Sequence, residues 1–337
     1  MITKPIAVLY EHPEWFRPLF AELARRGRPH EGILAHEHRY DPSATESPYG
    51  LVVNRVSPSS YLRGHTAAIF HALQYLTHLE AISVPIVNGT RAYLTELSKA
   101  RQLSLLAALG LPHPRSRVVN HPSQIAPAAR ELEYPLIVKP NIGGSGALMR
   151  RFDRSDELGA ALAAGELDAI LGLDQTAIVQ EYHPQRGGSI VRVEGLDDRL
   201  LYAIRIYNDP SQGFNLCPAD ICQVDEAGSA PAPGGAGAFD NCAVDASRPE
   251  GTRQRKIEVA EPPAWVVDGV LALLREGGID VGGVEYLESE RDGQIYLYDV
   301  NSLSNFVTDA PSLVGFDPFA RLVDYIEQRA GIAVRAR

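Results

Sequence analysis

Two stretches decide the fold of this chain: Gly282-Gly-Val-Glu-Tyr-Leu287 and Gln294-Ile-Tyr-Leu-Tyr-Asp-Val-Asn301. Both are rich in β-branched and aromatic residues, and the connection between them contains glycine. This pattern predicts an antiparallel hairpin. A loop of Arg291-Asp292-Gly293, with glycine in the left-handed position that such loops need, sets the expected register.

In that register two acidic side chains oppose each other. Glu290 pairs with Gln294, Glu285 lies opposite Asp299, and Asn301 points to the same face. Directly opposed residues have Cβ atoms about 4.5–5.5 Å apart, and like charges there are destabilising. The acidic face is expected to carry Leu287, Ile295 and Leu297, and the other face Val284, Tyr286, Tyr296, Tyr298 and Val300.

Both faces of the predicted hairpin are therefore apolar, which favours burial of the carboxylates. Buried carboxylates need a positive charge between them. Carboxylate and amide oxygens are ligands that Mg²⁺ prefers, usually together with substrate phosphates. The alternative is an exposed sheet face on which arginine or lysine side chains pair with the acids.

Composition excludes several classes of protein. The chain has 337 residues, 45% hydrophobic and 22% charged, which suits a globular protein of about two domains. A net charge of −10 argues against nucleic acid or an anionic membrane as the main partner. No run approaches the ~18 apolar residues of a membrane span, and no signal-peptide pattern is present, so we expect a cytoplasmic protein. The cysteines Cys217, Cys222 and Cys242 lack metal-ligand spacing and are expected to be reduced thiols.

Strands alternate with helices in the first part of the chain. The predicted strands are Ile6–Tyr10, Gly32–Ala35, Leu51–Asn54 and Val84–Asn88, and the predicted helices are Glu14–Arg26 and Thr66–Leu79. Such alternation predicts a parallel, doubly wound α/β domain, here residues 1–94.

The remainder, residues 95–334, has a mixed pattern. It opens with a predicted helix at Thr95–Leu109. A compact segment of about residues 118–182 follows, with predicted helices Ser123–Glu133 and Ser155–Ala164 and strands Leu136–Pro140, Ala147–Phe152 and Ala177–Tyr182. Strands through Arg192 and Arg205 and helices Ala264–Glu276 and Pro318–Ala330 complete it. Residues 226–251 are of low complexity and are expected to be disordered in the free state or, alternatively, to cover a substrate.

The segment Lys139-Pro-Asn-Ile-Gly-Gly-Ser-Gly146 connects two predicted strands. Its glycines allow close backbone approach, and successive N–H groups in such a turn form an anion-binding concavity. Ser145 adds a hydroxyl donor, and Lys139 is held extended by the following proline. This is not a Walker P-loop, and as a lone motif it can also be a purely structural hairpin turn.

Other polar residues are ambiguous alone. Arg192 and Arg205 lie on neighbouring predicted strands and can clamp a phosphate or an acyl phosphate, or they can be ordinary exposed arginines. Lys99, taken alone, is a solvated helical lysine. The strand Ile178-Val-Gln-Glu-Tyr-His183 ends in a polar stretch that can offer backbone groups to an adenine edge, with His183 as a wall of that pocket.

In their order along the chain these motifs resemble the ATP-grasp superfamily, and within it the ribosomal protein S6 glutamate ligases and related amino-acid ligases. The resemblance rests on Val53-Asn-Arg55, Val87-Asn88, Leu97-Ser-Lys99, Val138-Lys-Pro140 with its glycine loop, Val179-Gln-Glu-Tyr182, Gly283-Val-Glu285 and Asp299-Val-Asn301. It implies an α/β (α+β) ATP-grasp fold, in which residues 95–334 form the ATP-grasp domain and residues 118–182 a mobile lid.

The resemblance also implies roles for individual residues, with ATP and two Mg²⁺ ions bound. The residues that the resemblance implies as nucleotide contacts are Lys99, Lys139, Gly143, Gly144, Ser145, Gly146, Gln180, Glu181 and Tyr182. The metal ligands are Glu285, Asp299 and Asn301, and the catalytic arginines are Arg192 and Arg205. The residues implied to bind substrate are Arg55, Ser302, Ser304 and Asn305.

The implied function is an ATP-dependent carboxylate–amine ligase, which forms an amide through an acyl phosphate and releases ADP and phosphate. Its substrates would be small carboxylates and amines, amino-acid or peptide-like, and a homodimer is allowed. Two departures prevent transfer of the substrate identity: Ser189-Ile-Val-Arg192 lacks an acid found in many relatives, and Ser302-Leu-Ser-Asn305 replaces a Pro-Gly loop. The alternatives are a small-molecule kinase on the same fold and a nucleotide-binding regulatory protein without turnover.

Overall fold

A four-stranded parallel sheet forms the N-terminal part of the protein in a computed structural model, which describes residues 4–144, 146–207 and 256–332. The sheet has the order β2-β1-β3-β4. Its strands are β1 (Ile6–Tyr10), β2 (His30–Leu34), β3 (Leu51–Arg55) and β4 (Ile86–Val87). Helices α1 (Arg17–Arg25) and α2 (Thr66–Ala81) pack on opposite faces, so the predicted doubly wound arrangement is confirmed.

The predicted helix Thr95–Leu109 is wrong, because two helices occupy this region: α3 (Thr90–Leu97) and α4 (Lys99–Ala108). Ser98 between them is extended, with φ −130° and ψ 106°, and its Oγ accepts a hydrogen bond from the backbone N–H of Arg101 at 3.1 Å. Serine at an N-cap satisfies an otherwise unpaired helical N–H and favours a helix start. Lys99 is therefore the first residue of a helix.

A four-stranded antiparallel sheet follows and corresponds to the predicted lid segment. Its order is β5-β8-β6-β7. The strands are β5 (Ser116–Val119), β6 (Leu136–Pro140), β7 (Arg150–Phe152) and β8 (Ala177–Glu181). Helices α5 (Ile125–Ala129) and α6 (Ser155–Ala163) cover one face and share a hydrophobic cluster with it.

A five-stranded antiparallel sheet, of order β11-β10-β9-β12-β13, forms the rest of the scaffold. Its strands are β9 (Ser189–Leu196), β10 (Arg199–Tyr207), β11 (Ile257–Val259), β12 (Val281–Glu288) and β13 (Ile295–Asn301). Helix α7 (Ala264–Gly277) packs on one face. Apolar residues of the other face join a cluster with the N-terminal sheet.

Two short C-terminal helices, α8 (Ala310–Val314) and α9 (Pro318–Arg329), complete the described part of the chain. Helix α9 packs against α1, and Leu322, Val323 and Ile326 share a cluster with β1 and β3. Arg26 at the end of α1 donates to Asp324 Oδ1 at 2.6 Å. The first and last helices are thus joined on one face of the parallel sheet.

Three sequence-based expectations fall outside the described residues: the character of residues 226–251, the state of the three cysteines and the role of Ser145. Among the helices that are described, none combines the length and the apolar character that crossing a membrane requires.

Candidate active site

A cavity of about 210 Å³ lies between the two antiparallel sheets and the loop that follows β3. Most of the sequence-predicted residues line it: Lys99, Lys139, Gly143, Gly144, Gly146, Gln180, Glu181, Tyr182, Arg192, Glu285, Asp299, Asn301 and Asn305. Arg55, Arg205, Ser302 and Ser304 are described but do not line it. Residues distant in sequence therefore meet in one cavity.

The hairpin places Glu285 opposite Asp299, as predicted, although the register near the turn is one residue different. Ser289 N donates to Gln294 O at 2.9 Å, so the loop is residues 290–293 and not 291–293. Tyr286 then pairs with Leu297, and Tyr298 is an extra, unpaired residue. This β-bulge restores the predicted pairing at Asp299.

The bulge also changes which side chains share the acidic face. Because one extra residue reverses the alternation along a strand, Leu297 and Ile295 pack with helix α7, and their predicted place beside the acids is wrong. Tyr296 and Tyr298 pack instead on the side of the sheet away from α7, in the hydrophobic cluster that includes Leu287 and the N-terminal sheet. The Tyr298 hydroxyl consequently donates to Glu285 Oε2 at 2.8 Å.

Glu285 is 5% exposed and is bound by an arginine of the neighbouring strand. Arg192, its register partner on β9, donates from Nη1 to Glu285 Oε1 at 3.0 Å. Burial raises the pKa of Glu285, and the positive charge of Arg192 offsets only part of this effect. The ionised form of Glu285 is thus disfavoured without a further cation.

Asp299 is held differently, by a lysine at the start of α4. Lys99 Nζ lies 2.5 Å from Asp299 Oδ1, and Asn301 Nδ2 donates to Oδ2 at 3.0 Å. Burial alone would raise the pKa of Asp299, but the charges of Lys99 and Lys139 outweigh it and the pKa is lowered. The charge predicted to lie between the acids is therefore supplied in part by the protein's own Lys99 and Arg192.

The glycine loop and Lys139 form the wall opposite the acids. Lys139 is 3% exposed on β6, and burial together with the charge of Lys99 lowers its pKa to about 7. A Cβ atom at Gly144 would lie 2.6 Å from Ser59 Cβ, so only glycine fits this approach of the loop to the N-terminal domain. Gly146 has a left-handed φ of 71°.

The predicted adenine hinge lines the cavity through Gln180, Glu181 and Tyr182. The backbone N–H groups of Glu181 and Tyr182 are already used, since they donate to Arg115 O and Pro135 O at 2.9 and 2.8 Å. These two amides are therefore not available to a purine while the sheet is intact. His183, which was expected to form a wall of the pocket, lines the cavity. The centroid of its ring lies 4.1 Å from that of the Tyr296 ring.

Comparison with known proteins gives one consistent answer about the fold. No family model matches the chain. The structure of the ATP-grasp ligase PsnB with its minimal precursor superposes with a TM-score of 0.64 and 18% identity, covering 97% of this chain and 99% of that one. A RimK domain ATP-grasp protein from Sphaerobacter thermophilus gives 0.62 and 19% identity, covering 98% and 100%. The chain has the ATP-grasp fold.

Two curated relatives that match part of this chain are named as ligases. A D-alanine–D-alanine ligase of Alcanivorax borkumensis is 31% identical over 161 residues, which are 44% of this chain and 48% of that protein. A probable α-L-glutamate ligase of Teredinibacter turnerae is 25% identical over 174 residues, 50% of this chain and 51% of the relative. The matched part spans about half the length of these relatives.

The acidic hairpin of this ATP-grasp fold fits Mg²⁺ bound together with a nucleotide. In the described ranges there is no group of three or more His, Cys, Asp or Glu side chains that would hold a metal on its own. The donor set is two carboxylates and one amide, those of Glu285, Asp299 and Asn301, which suits a hard cation that takes its other ligands from phosphates and water.

Arg205 does not join the cavity, and its predicted catalytic contact is not supported. It pairs with Val191 on β9, whereas Arg192 pairs with Ile204, so the two arginines point to opposite faces. Arg205 is half-exposed and donates to Ser189 Oγ at 3.0 Å.

Arg55 is also outside the cavity, sealed behind the loop of residues 302–306. It is 1% exposed and donates to the carbonyl oxygen of Ser304. Its Nε and Nη1 have no partner within the described ranges, and burial lowers its pKa to about 10. Ser302 and Ser304 are also buried, and of the three loop residues predicted to bind substrate only Asn305 lines the cavity.

The sequence analysis missed two acids, the fully buried Glu194 and the partly buried Glu96, which lines the cavity. Glu194 accepts from Arg192 Nε at 2.6 Å, and Glu96 accepts from the backbone N–H of Ser302. The spacing of Arg192 and Glu194, two residues apart on a strand, places both on one face and was a usable signal. Glu96 could not be found in this way, because its position at the end of α3 depends on the break between α3 and α4, which the sequence analysis did not predict.

Proposed function

We propose that this protein is an ATP-dependent carboxylate–amine ligase. The observation that carries the proposal is that one cavity joins the lysines Lys99 and Lys139, the glycine loop and the acids Glu285 and Asp299. Lysines and backbone N–H groups suit phosphates, and the acids suit the cations that accompany phosphates. The ligase names of the relatives that match half of the chain agree with this choice.

In the proposed reaction a substrate carboxylate oxygen attacks the γ-phosphorus of ATP, ADP leaves, and an acyl phosphate forms. An amine then attacks the acyl carbon, phosphate leaves, and the amine loses a proton. Lys139 and Lys99 stabilise the negative charge on the phosphates, and Arg192 lies on the acidic side, where charge accumulates on the transferred group. Mg²⁺ would bind Glu285, Asp299 and Asn301 and supply further positive charge.

The lid and the two-domain division, residues 1–94 and 95–334, are part of the proposal. Support for a separate lid comes from the four-stranded sheet β5-β8-β6-β7, which has its own hydrophobic cluster. Gly144 of the lid touches Ser59 of the N-terminal domain, so lid opening would separate the glycine loop from the substrate side of the cavity.

The decisive experiment measures ADP release from purified protein with a library of small carboxylates, amino-acid and peptide-like, each with and without amines. Carboxylate-dependent ADP release with an amide product, identified by mass spectrometry, is expected. A stable phosphorylated product that forms without amine identifies a kinase instead. Absence of Mg²⁺-dependent nucleotide binding by calorimetry contradicts both.

Two finer points are measured on the same preparation. The proposed two ions per nucleotide are counted by Mn²⁺ titration in the presence of ADP. The homodimer is tested by size-exclusion chromatography with light scattering.

A further inference from the structure

Glu194 is a fully buried carboxylate that uses only one of its oxygens. Its Oε1 accepts from Arg192 Nε at 2.6 Å and from Ser304 Oγ at 2.8 Å. Its Oε2 has no hydrogen-bond partner within the described ranges, and the residue is 0% exposed. A buried, unpaired carboxylate oxygen is unfavourable, so it is expected to have a partner in another state of the protein.

Arg192 lies between two carboxylates. Its Nε binds Glu194, and its Nη1 binds Glu285 Oε1 at 3.0 Å. A cation at the acidic hairpin needs the oxygens of Glu285, and so it competes with Arg192 for them. Arg192 would then keep Glu194 but lose one of its two buried carboxylate partners, and the Nη1 group that binds Glu285 would need another acceptor. A buried donor without an acceptor is unfavourable, which would oppose cation binding.

We infer that Glu194 is a positioning residue that takes Arg192 over from Glu285 when a cation binds the hairpin. This inference rests on the proposed function. The unpaired Oε2 of Glu194 accepts the hydrogen bond that Arg192 gives up, so the guanidinium stays compensated. Glu285 is then free to bind the cation, and Arg192 remains at the edge of the cavity.

Gly283 provides space beside this ion pair. It is the register partner of Glu194 on β12. A Cβ atom at Gly283 would lie 2.7 Å from Arg192 Nε and 2.8 Å from both Arg192 Nη2 and Glu194 Oε1. Any side chain here would press on the guanidinium and restrict its movement from one carboxylate to the other.

The orientation of Glu194 is set from the loop of residues 302–306. Ser304 donates its hydroxyl to Glu194, and its carbonyl oxygen is held by Arg55. The same loop contributes Asn305 to the cavity, so Ser304 connects Glu194 to a segment of the cavity wall.

The test is the affinity for Mn²⁺ in the presence of ADP, measured by electron paramagnetic resonance, which needs no turnover. Glu194→Gln keeps the size of the side chain and removes its charge. It is expected to weaken Mn²⁺ binding about tenfold, within the range for directly contacting charges. The control Glu276→Gln, in an exposed ion pair with Arg91, is expected to bind as the unmodified protein does.

A second pair of variants shows whether Glu194 acts through Arg192. In an Arg192→Met background, Glu194→Gln is expected to change Mn²⁺ affinity less than twofold. A tenfold loss that persists there, or unchanged binding by Glu194→Gln itself, overturns the inference. Absence of Mn²⁺–ADP binding in the unmodified protein instead refutes the proposed function, and the inference with it.

Thermal unfolding without metal checks that the variants are folded. If Glu194→Gln does not fold, Gly283→Ala replaces it, since it blocks the movement of Arg192 and leaves every charge in place. The expected loss of Mn²⁺ affinity is again about tenfold. Unchanged affinity in Gly283→Ala overturns the inference.

Discussion

The two opposed acids of the hairpin should respond differently to loss of their charge. Asp299 is ion-paired with Lys99 at 2.5 Å, and its pKa is lowered, because the charges of Lys99 and Lys139 outweigh burial. The pKa of Glu285 is raised by burial. Replacing Asp299 by Asn therefore removes a favourable charge, whereas replacing Glu285 by Gln removes an unfavourable one.

The magnitude follows from burial. Removing one partner of a fully buried pair costs about 3–5 kcal/mol. The side chains of Lys99 and Asp299 are 20% and 22% exposed, and Asn keeps an acceptor, so we expect Asp299→Asn to cost about 2 kcal/mol. In a chain of this size, with an unfolding entropy of about 0.7 kcal/mol per kelvin, that lowers the melting temperature by about 3 °C. Glu285→Gln should change stability by at most about 1 kcal/mol, since Arg192 keeps Glu194.

The assay is thermal unfolding with a metal chelator between pH 4 and 8, with Asp198→Asn, in an exposed pair, as the control. The charge of Asp299 stabilises the folded protein at a pH above about 3.9, the pKa of aspartate in the unfolded chain. This stabilisation is lost as the pH falls through the lower pKa of Asp299 in the folded protein. The cost of Asp299→Asn should thus be nearly constant from pH 8 to about pH 5 and begin to shrink only near pH 4. The folded state is destabilised by ionisation of Glu285, and this cost grows as the pH rises above about 4.3. Above that pH the stability of Glu285→Gln should therefore rise relative to that of the unmodified protein.

Equal destabilisation by the two substitutions, or a larger loss for Glu285→Gln, would refute this account of the charges. Both variants should lose Mg²⁺-dependent ADP release. A fully active Asp299→Asn variant would contradict the metal role, whatever its melting temperature.

Three further predictions concern the phosphate side of the cavity. Because the pKa of Lys139 is about 7, ADP binding should be accompanied by proton uptake, and the affinity for ADP should fall from pH 6 to 8.5. Calorimetry in buffers of different ionisation enthalpy measures the proton uptake, and Lys139→Met should abolish it. Gly144→Ala should displace the glycine loop, since its Cβ would meet Ser59 at 2.6 Å; the measurement is the KM for ATP, and an unchanged value would contradict the tight approach. Ser98→Ala removes the N-cap of α4 and should cost about 1 kcal/mol in thermal unfolding, whereas Ser104→Ala, inside the same helix, should cost less.

Much of the fold was predictable because its strands carry strong local signals. Strand β1 has the predicted limits, Ile6–Tyr10, since an apolar run between polar residues has few alternatives. The pairing of Glu285 with Asp299 was also predicted, but from a wrong loop length that the bulge at Tyr298 compensates. A bulge depends on packing against both faces of the sheet and has no clear mark in the sequence.

The misplaced site residues have a common cause, namely that a face or a boundary was not known. Arg205 was grouped with Arg192, although a shift of one residue in pairing turns it to the opposite face. Lys99, by contrast, was predicted as a nucleotide contact from the resemblance alone, and it lines the cavity as the first residue of the helix that begins after Ser98. Arg55 has the sequence context of a ligand-binding arginine, but tertiary packing buries it behind the loop of residues 302–306.

The packing of α9 on α1 has a consequence for biosynthesis. One face of the parallel sheet is covered partly by Leu322, Val323 and Ile326, which are synthesised some three hundred residues after β1. A nascent chain that has completed only the four parallel strands therefore exposes an apolar surface. We expect expression of residues 1–94 by themselves to give insoluble material, and maturation of the sheet to wait until α9 has left the ribosome.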